Sequence, residues 1–432
     1  MAVWLSTADR TFEDGFKALL AQKREQAKDV NDTVAAIIAQ LRQEGDRALI
    51  DLTLKFDDLD LRKAALKVSE AEIEAAKAKV NKTTREALKL AHDRILDHHK
   101  RQHPKDDTYK DSLGVELGTR WTAVASAGLY VPGGTASYPS SVLMNALPAS
   151  VAGVPRIVMT VPAPKGLLNP LVLVAADLAG VHEIYRIGGA QAIAALAYGT
   201  ESIAPVVKIV GPGNAYVAAA KRQVYGQVGI DMIAGPSEVV VIADRDNDPA
   251  WIASDLLAQA EHDEAAQAIL ITDDADFGRD VAAAVDAELA VLPRAETARA
   301  SWRDFGAVIV VGDLDEAPAI ADRLAPEHLE IATAGADALA ARVANAGAIF
   351  IGRYTPEVIG DYVAGSNHVL PTARSARFAS GLSVLDFMKR SSTLKLDAES
   401  LAALGPAAMT LAEVEGLDAH RRSVAIRLNI RD

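Results

Sequence analysis

Residues 206–223 read VVKIVGPGNAYVAAAKRQ, an apolar run followed by a glycine turn and an alanine-rich stretch. The run Val206–Val210 is typical of a strand that is covered on both faces, and Ala215–Gln223 has the composition of a helix. The Gly-Pro-Gly-Asn segment between them predicts a tight turn, where backbone N–H groups and the helix dipole can meet an anion. Tyr216 occupies the place of the third glycine of the dinucleotide-binding fingerprint, so a plain strand-to-helix turn is an equally good interpretation.

The same alternation of apolar runs and helical stretches continues on both sides of this segment. The other runs are Val124–Val131, Arg156–Val161, Glu183–Ile187, Val239–Ala243, Ala268–Thr272, Ala307–Val311 and Gly347–Ile351. Near-continuous apolar strands that alternate with helices are typical of parallel sheets. The pattern therefore predicts an α/β fold of two Rossmann-like α/β units with parallel-rich sheets. Glycine pairs at 133–134 and 188–189 mark two further strand ends, which favours a ligand at the carboxyl edge of a sheet.

Composition divides the chain into four predicted segments. Residues 1–105 are rich in Lys, Glu and Ala at helical spacing and predict a helical N-terminal region. Two α/β units follow, at 106–242 and 243–388, and a helical C-terminal tail is predicted for 389–432. The histidines between residues 92 and 103 are interpreted as part of a solvated helix face, because they lie among lysine and arginine residues.

Charge and composition exclude several classes of function. The 432-residue chain has a formal net charge of -13, which argues against binding to nucleic acid or to anionic membranes. The absence of cysteine removes disulfides and thiolate chemistry from consideration. Residues 121–155 carry no charge, but their glycine and proline residues interrupt any membrane-spanning helix. The first residues lack the basic and then apolar pattern of a secretory signal, so we expect a cytoplasmic protein.

Histidines in short polar contexts provide candidates for a metal site. Gln259 and His262 lie three residues apart in a stretch that predicts a helix from about Pro249, so both are expected on one helix face. Asp361 ends an apolar approach, and His420 lies in the tail. Imidazole and carboxylate ligands suit zinc. An ordinary hydrogen-bonded helix surface is the simpler interpretation of the pair at 259 and 262, and spacing alone does not bring the four residues together.

Glu327 and His328 form a candidate acid/base pair. A histidine can take up a proton near neutral pH, and a carboxylate can activate water. In a strand the adjacent side chains would point to opposite faces, whereas in a loop or at a helix start after Pro326 both can face one cleft. The alternative is a surface glutamate beside a packed histidine. His368 lies in a similar short polar context.

Taken together, seven motifs resemble those of the histidinol dehydrogenase family, in the family's order from about residue 120 to the C-terminus. They are Gly128–Asn145, Gly211–Val217, Ala234–Glu238, Ala258–His262, Pro326–Glu330, Gly365–Thr372 and Glu415–His420. The resemblance implies a zinc-dependent, NAD-linked oxidoreductase that converts L-histidinol to histidinal and then to L-histidine. These are the last two steps of histidine biosynthesis.

The resemblance also implies roles for single residues. The zinc ligands would be Gln259, His262, Asp361 and His420, and the catalytic bases would be Glu327 and His328. NAD would contact Tyr130, Gln191 and Asn214 in the first α/β unit. Substrate would contact Ser237, Gln259, His262, His328, Asp361, Glu415 and His420. The family forms homodimers of intertwined subunits, in which the C-terminal tail, and so Glu415 and His420, reaches the partner's site.

The chemistry of the residues agrees with this implication. Oxidation of an aldehyde by hydride transfer requires a tetrahedral adduct, which many aldehyde dehydrogenases form with a cysteine. This chain has none, so water must add to the aldehyde. The sequence then offers Glu327 to activate that water and His328 to remove the proton of the alcohol.

Three other interpretations stay open at this point. A related zinc- and NAD-dependent dehydrogenase could act on another small polar alcohol, because Arg374 and Arg377 lie where glycine-rich forms are also common. Glu415 argues instead for a substrate with a cationic amino group. A non-catalytic metal- or nucleotide-binding relative has no use for Glu327 beside His328, and the glycine-marked strand ends disfavour a zinc hydrolase.

Overall fold

The computed structural model describes residues 2–22, 28–133, 138–233 and 235–430, so residues 134–137 and Ala234 of the motifs above lie outside the described residues. The strands, in chain order, are β1 (Val3–Ser6), β2 (Asp107–Lys110), β3 (Glu116–Ala123), β4 (Ala127–Tyr130), β5 (Ile157–Thr160), β6 (Glu183–Tyr185), β7 (Lys208–Val210), β8 (Gly229–Ile230), β9 (Glu238–Ala243), β10 (Gln267–Thr272), β11 (Ala307–Val310), β12 (His328–Ala332), β13 (Ala348–Ile351) and β14 (Met388–Lys395). The α-helices are α1 (Phe12–Ala21), α2 (Lys28–Glu44), α3 (Asp46–Asp57), α4 (Glu70–Lys79), α5 (Lys82–Lys100), α6 (Pro139–Val151), α7 (Pro170–Leu178), α8 (Gly189–Tyr198), α9 (Ala215–Val224), α10 (Pro249–Ala260), α11 (Ala275–Glu288), α12 (Ala295–Phe305), α13 (Ala317–Leu324), α14 (Ala336–Ala340), α15 (Glu357–Ile359), α16 (Ala398–Val414) and α17 (Asp418–Ala425). These elements form a larger unit, Met1–Gln102 with Ala125–Phe387, and a smaller unit, His103–Val124 with Met388–Asp432.

The larger unit contains a parallel five-stranded sheet in the order β6-β5-β4-β7-β8. All four residues of its central strand, β4, are buried. Tyr130, Val158 and Ile209 from three of its strands pack with helices α8 and α9 in one apolar cluster. Full burial of a strand requires cover on both faces of the sheet, which is why the apolar runs of the sequence are nearly continuous. The predicted parallel α/β arrangement is confirmed for this part of the chain.

A second parallel sheet in the larger unit has six strands in the order β1-β11-β10-β9-β12-β13. The sequence placed β9 in the first α/β unit, which was to end at residue 242, but β9 pairs with β10 and β12. The apolar pattern of β9 is the same as that of the strands in the five-stranded sheet. Only the strands that pair with β9 show to which sheet it belongs. The N-terminal region is also not wholly helical, because β1 pairs with β11. No residue of β1 is fully buried, so this strand lacks the apolar run that marks the other strands of the sheet.

The smaller unit is built from two distant segments of the chain. β14 pairs antiparallel with β3 along its whole length, and β3 pairs antiparallel with β2. Helices α16 and α17 follow β14. The prediction of a helical tail from residue 389 is therefore wrong for its first residues. After Met388 every residue of β14 is exposed, so the strand lacks the apolar run that would have identified it.

The uncharged segment 121–155 contains the end of β3, then β4 and α6, as the strand, loop and helix interpretation predicts. Residues 140–149 of α6 are all buried, which explains their apolar character. Within the described ranges, no helix is long and apolar enough to cross a membrane.

Candidate active site

Glu327 and His328 lie where the chain passes from α13 into β12. Ala325 adopts a left-handed conformation with φ 48°, and Pro326 cannot continue the helix, so the chain turns into the strand. Glu327 is 6% exposed and His328 is 4% exposed. Glu327 lies in the bend after Pro326, as the loop alternative predicts, whereas His328 is already the first residue of β12. Both side chains nevertheless line one cavity.

A hydrogen bond fixes the tautomer of His328. Its Nδ1 lies 3.1 Å from the carbonyl oxygen of Glu238, and a carbonyl oxygen can only accept. Nδ1 therefore carries the hydrogen atom, and Nε2 is the atom that can take up a proton. Nε2 lies 3.4 Å from Oδ1 of Asp361. Both of these atoms are buried, and neither has a hydrogen-bond partner among the residues that the structure describes.

Burial and charge shift the pKa values of the pair. Burial raises the pKa of Glu327 to about 7, although the neighbouring His328 lowers it. Burial alone would lower the pKa of His328, but the carboxyl groups of Glu357, Glu327 and Asp361 raise it well above its usual value. A carboxyl group that titrates near neutral pH is suited to general acid/base chemistry.

Three further acidic residues near the pair, Asp255, Glu330 and Glu357, were not found by sequence reasoning. Oε2 of Glu357 lies 3.7 Å from Nδ1 of His328, and Oε1 of Glu330 accepts the backbone N–H of Glu357 at 2.6 Å. Burial raises the pKa of Glu357 to about 8 and that of Asp255 to about 6. One signal could have identified Glu330: it follows His328 by two residues in a strand and therefore lies on the same face.

Three of the four predicted zinc ligands lie in the larger unit. Gln259 is in the last turn of α10 and is 2% exposed. His262 was expected on the same helix, but α10 ends at Ala260, where the chain begins its turn toward β10. The backbone N–H of His262 donates to the carbonyl oxygen of Gln259 at 3.1 Å, which keeps the two residues together. Asp361 lies in a π-helical turn, Gly360–Ala364.

These residues share a cavity of about 610 Å³. Its lining includes the predicted residues Asn214, Ser237, Gln259, His262, Glu327, His328 and Asp361. In the described part of the chain, no three or more His, Cys, Asp or Glu side chains form a group that could hold a metal ion. The cavity also offers the amide oxygen of Gln259 beside His262 and Asp361 as a candidate donor. The buried Oδ1 of Asp361, which lacks a hydrogen-bond partner within the described ranges, fits a cation.

His368, to which the sequence assigned no role, also lines this cavity. Its Nδ1 lies 3.0 Å from the carbonyl oxygen of Asp361, and its Nε2 lies 3.3 Å from Oγ of Ser141. The first contact makes Nδ1 a donor. His368 thus connects the turn that carries Asp361 to helix α6, which carries Ser141.

The glycine turn after β7 borders the same cavity. Asn214 is the N-cap of α9, and its Oδ1 accepts the N–H groups of Tyr216 and Val217 at 3.1 and 3.2 Å. Gly211 has φ 112°, and a Cβ atom there would lie 2.1 Å from the carbonyl oxygen of Tyr130. Only glycine fits this position. The strand, turn and helix expected for residues 206–223 are confirmed.

The other two predicted NAD contacts are buried. Oη of Tyr130 accepts the backbone N–H of Gly189 at 3.1 Å, and Gln191 lies within α8 and is 2% exposed. Neither is among the described residues that line the cavity. Their contact with NAD stays a prediction.

Glu415 and His420 lie in the smaller unit. Glu415 is the C-cap of α16, and His420 lies in α17. Both residues are exposed, and both line a groove of about 730 Å³ whose walls come from these two helices. Their predicted contacts with zinc and substrate also stay predictions.

A glycine turn and a buried Glu–His pair on one cavity of a parallel α/β fold indicate an oxidoreductase that uses a dinucleotide. A family model described as histidinol dehydrogenase matches residues 20–428. The chain therefore belongs to the histidinol dehydrogenase family.

Relatives of this family match the chain along its whole length. Histidinol dehydrogenase of Brucella suis biovar 1 (strain 1330) is 67% identical over 430 residues, which cover 100% of both chains. Histidinol dehydrogenase of Rhizobium meliloti (strain 1021) is also 67% identical, over 100% of this chain and 99% of the relative. The crystal structure of histidinol dehydrogenase from Elizabethkingia anophelis has a TM-score of 0.95 at 35% identity, and the match covers 99% of this chain and 98% of that chain.

Proposed function

We propose that this protein oxidises L-histidinol to histidinal and then to L-histidine, with two NAD+ reduced per histidinol, as the last steps of histidine biosynthesis. The observation that carries the proposal is the buried Glu327–His328 pair. Nε2 of His328 faces the Asp361 carboxylate in the cavity that the Asn214 turn also borders. The substrate follows from the family, since relatives at 67% identity carry the name histidinol dehydrogenase.

His328 acts in the oxidation of the alcohol. The neutral form of His328 acts here: its Nε2 accepts the hydroxyl proton of the substrate, while Nδ1–H stays bonded to the carbonyl oxygen of Glu238. Asp361 at 3.4 Å stabilises the positive charge that develops on the ring. The carbon–oxygen double bond forms as the hydride leaves the same carbon. When bound, NAD+ would supply the hydride acceptor, and zinc would supply a cation that orients the substrate.

Glu327 acts in the oxidation of the aldehyde. Because the chain has no cysteine, water adds to the aldehyde carbon. The carboxyl group of Glu327 takes a proton from that water, which forms the hydrate. Oε2 of Glu327 accepts the backbone N–H of Glu238 at 3.0 Å, so the carboxyl group has a fixed orientation. Because Glu327 has taken one proton, the hydrate is an anion, and loss of a hydride and of its remaining hydroxyl proton gives the carboxylate of L-histidine.

The proposal gives each predicted site residue a role in binding zinc, substrate or NAD. Gln259, His262 and Asp361 would hold zinc from the larger unit, and His420 would complete the set from the tail of a second subunit. Ser237, His328 and Glu415 would contact substrate together with the zinc ligands, and Tyr130, Gln191 and Asn214 would contact NAD. The buried Oδ1 of Asp361, without a hydrogen-bond partner in the described part of the chain, supports the metal assignment. An intertwined homodimer and a cytoplasmic location are further parts of the proposal.

A stoichiometric assay tests this function. The purified protein is incubated with L-histidinol and excess NAD+, with and without a chelator of divalent metals. We expect two NADH per histidinol consumed, and loss of this activity on chelation that added zinc restores. One NADH per substrate would indicate a dehydrogenase that stops at the aldehyde or acts on another alcohol, and no NADH would contradict the proposal.

A further inference from the structure

An ion pair lies buried beneath the glycine turn that follows β7. Nζ of Lys221 on α9 contacts Oδ1 of Asp231, and the two side chains are 2% and 1% exposed. Burying two charges has a large desolvation cost, and a well-packed apolar pair of similar volume is often as stable or more stable. Stability is therefore a weak explanation for the pair, and its contacts suggest another.

Both charged groups bind the same backbone residue. Nζ of Lys221 donates to the carbonyl oxygen of Gly211 at 2.9 Å, and Oδ2 of Asp231 accepts the N–H of Gly211 at 2.8 Å. Hydrogen bonds to charged groups are about twice as strong as those between neutral groups. The carbonyl oxygen and the N–H of Gly211 are thus both hydrogen-bonded, one to Lys221 and the other to Asp231.

Gly211 is a position where small displacements matter. Its backbone packs so closely against Tyr130 that a Cβ atom would lie 2.1 Å from the carbonyl oxygen of Tyr130. Three residues later, Asn214, which lines the cavity, uses Oδ1 to cap α9, so Nδ2 is the side-chain atom left to donate to a ligand. Lys221 lies on the same helix, so its bond to Gly211 and the cap at Asn214 connect both ends of the turn to α9. Lys221, Asp231 and Asn214 all line the cavity.

We propose that Lys221 and Asp231 are positioning residues for NAD+, which hold the Gly211–Asn214 turn in the shape that the dinucleotide requires. The inference rests on the proposed function, because that function makes this turn the cofactor side of the site. Removal of the pair lowers the affinity for NAD+ and leaves the acid/base pair and the histidinol-binding residues intact.

Paired substitutions distinguish positioning from simple stabilisation. Lys221→Met alone leaves a buried charge without its partner and lowers the melting temperature, whereas Lys221→Met with Asp231→Leu removes both charges. Asp231→Asn keeps the side-chain volume and serves as a second variant if the others fold poorly. Glu183→Gln is the matched control. It breaks the 2.7 Å ion pair between Glu183 and Arg156, which lies where strands β5 and β6 begin. This is the edge of the same sheet opposite to the glycine turn after β7.

Isothermal titration gives the Kd of NAD+ and, separately, the Kd of L-histidinol for the zinc-loaded protein. For the double variant we expect a melting temperature above that of Lys221→Met, and a Kd of NAD+ at least tenfold above wild type. The Kd of L-histidinol should stay within threefold. Asp231→Asn should raise KM for NAD+ at least fivefold with kcat within twofold, and Glu183→Gln should leave the Kd of NAD+ within twofold.

Two results would overturn the inference. One is a Kd of NAD+ within threefold of wild type in both the double variant and Asp231→Asn. The other is an equal loss of NAD+ and L-histidinol affinity, which would make the pair structural. Failure of the proposed function has a different signature, because the wild-type protein itself would then bind no NAD+ or form no NADH from L-histidinol.

Discussion

At the scale of single residues, the backbone of Glu238 orients both members of the acid/base pair. Its carbonyl oxygen accepts from Nδ1 of His328, and its N–H donates to Oε2 of Glu327. One peptide segment in β9 thus sets the tautomer of the histidine and the orientation of the carboxyl group. Because these bonds use main-chain atoms, substitution of the Glu238 side chain leaves them in place.

Glu327→Gln separates the two oxidations. The amide cannot take a proton from water, so we expect oxidation of histidinal to fall by a factor of about 10²–10⁴. Oxidation of histidinol should fall by much less, because His328 serves that step. The rates are measured with histidinol and histidinal as separate substrates. Glu330→Gln, which changes a buried carboxyl group in the strand that follows Glu327, is the control. Equal losses in both half-reactions of Glu327→Gln would contradict the role.

Glu357→Gln changes how stability depends on pH. Burial raises the pKa of Glu357 to about 8 in the folded protein, whereas in the unfolded chain it is near the usual value of about 4.3. The folded state therefore binds this proton more tightly, and the stability it contributes is present at low pH and is lost as pH rises through about 8. The free energy of unfolding of wild type relative to Glu357→Gln should fall between about pH 5 and pH 8.

Urea unfolding of the metal-free proteins at three pH values measures this difference. The control is Glu183→Gln, since Arg156 lowers the pKa of Glu183 despite its partial burial. Its contribution is lost only at acidic pH and should be constant between about pH 5 and pH 8. A constant difference for Glu357→Gln as well would show that this carboxyl group is ionised in the folded protein.

The sequence predicts the residue types of the candidate site better than their surroundings. Glu327, His328 and Asp361 stand out because charged groups in apolar contexts are unusual. Asp255 and Glu357 do not, because isolated acidic residues in helices are usually solvated. The burial of Asp255 and Glu357 depends on which elements pack together, and the local amino-acid pattern does not predict this packing.

At the scale of elements, the sequence identifies covered strands that are apolar along their length, but it misses β12, whose buried residues include His328 and Glu330. The apolar runs in both parallel sheets correspond to observed strands within a few residues at each end. β14 and β3 were missed because β14 is largely exposed and β3 is nowhere fully buried. The end of α10 before His262 was missed because helix ends depend on where the chain must turn, and not on periodicity alone.

Helix α10 offers a prediction at this scale. Its N-cap, Asp248, accepts the backbone N–H of Ala250 at 2.9 Å, and Gln259 lies at its other end. Asp248→Ala should lower the free energy of unfolding by about 1 kcal/mol, because a helix N–H loses its acceptor. Zinc affinity should not change, since Gln259 is buried and held by its own contacts. Denaturant unfolding measures the first quantity and a competitive zinc chelator the second.

Asp248→Asn is the control for this substitution, because asparagine caps helices as well as aspartate does. A large loss of zinc affinity in Asp248→Ala would show instead that the whole helix shifts when its first turn frays.

At the scale of the whole molecule, the proposed homodimer can be tested by mixing two inactive variants. If the tail completes the partner's site, Glu327→Gln and His420→Ala leave one intact site in each mixed dimer. Random exchange of subunits should then restore roughly a quarter of wild-type activity, since half of the dimers are mixed and each has one working site. Activity is measured after mild denaturation and joint refolding, with each variant refolded alone as the control.

If the mixture shows no activity, the prediction is wrong. Glu327 and His420 would then belong to the same subunit's site or to no shared site. From the sequence, the homodimer and the exchange of the tail between subunits are predicted only through the resemblance to the family. Pairing between segments that are far apart in the chain, such as 103–124 with 388–432, leaves no local pattern in composition.

That pairing has a consequence for synthesis on the ribosome. β3 emerges long before β14, the strand that lies along it in the finished protein. Until the last part of the chain has been translated, β3 can pair only with β2 and presents an open edge, which is the kind of surface that joins other chains. Premature termination directly after Phe387 should therefore yield a product prone to aggregate, even though the residues of the larger unit have all been made.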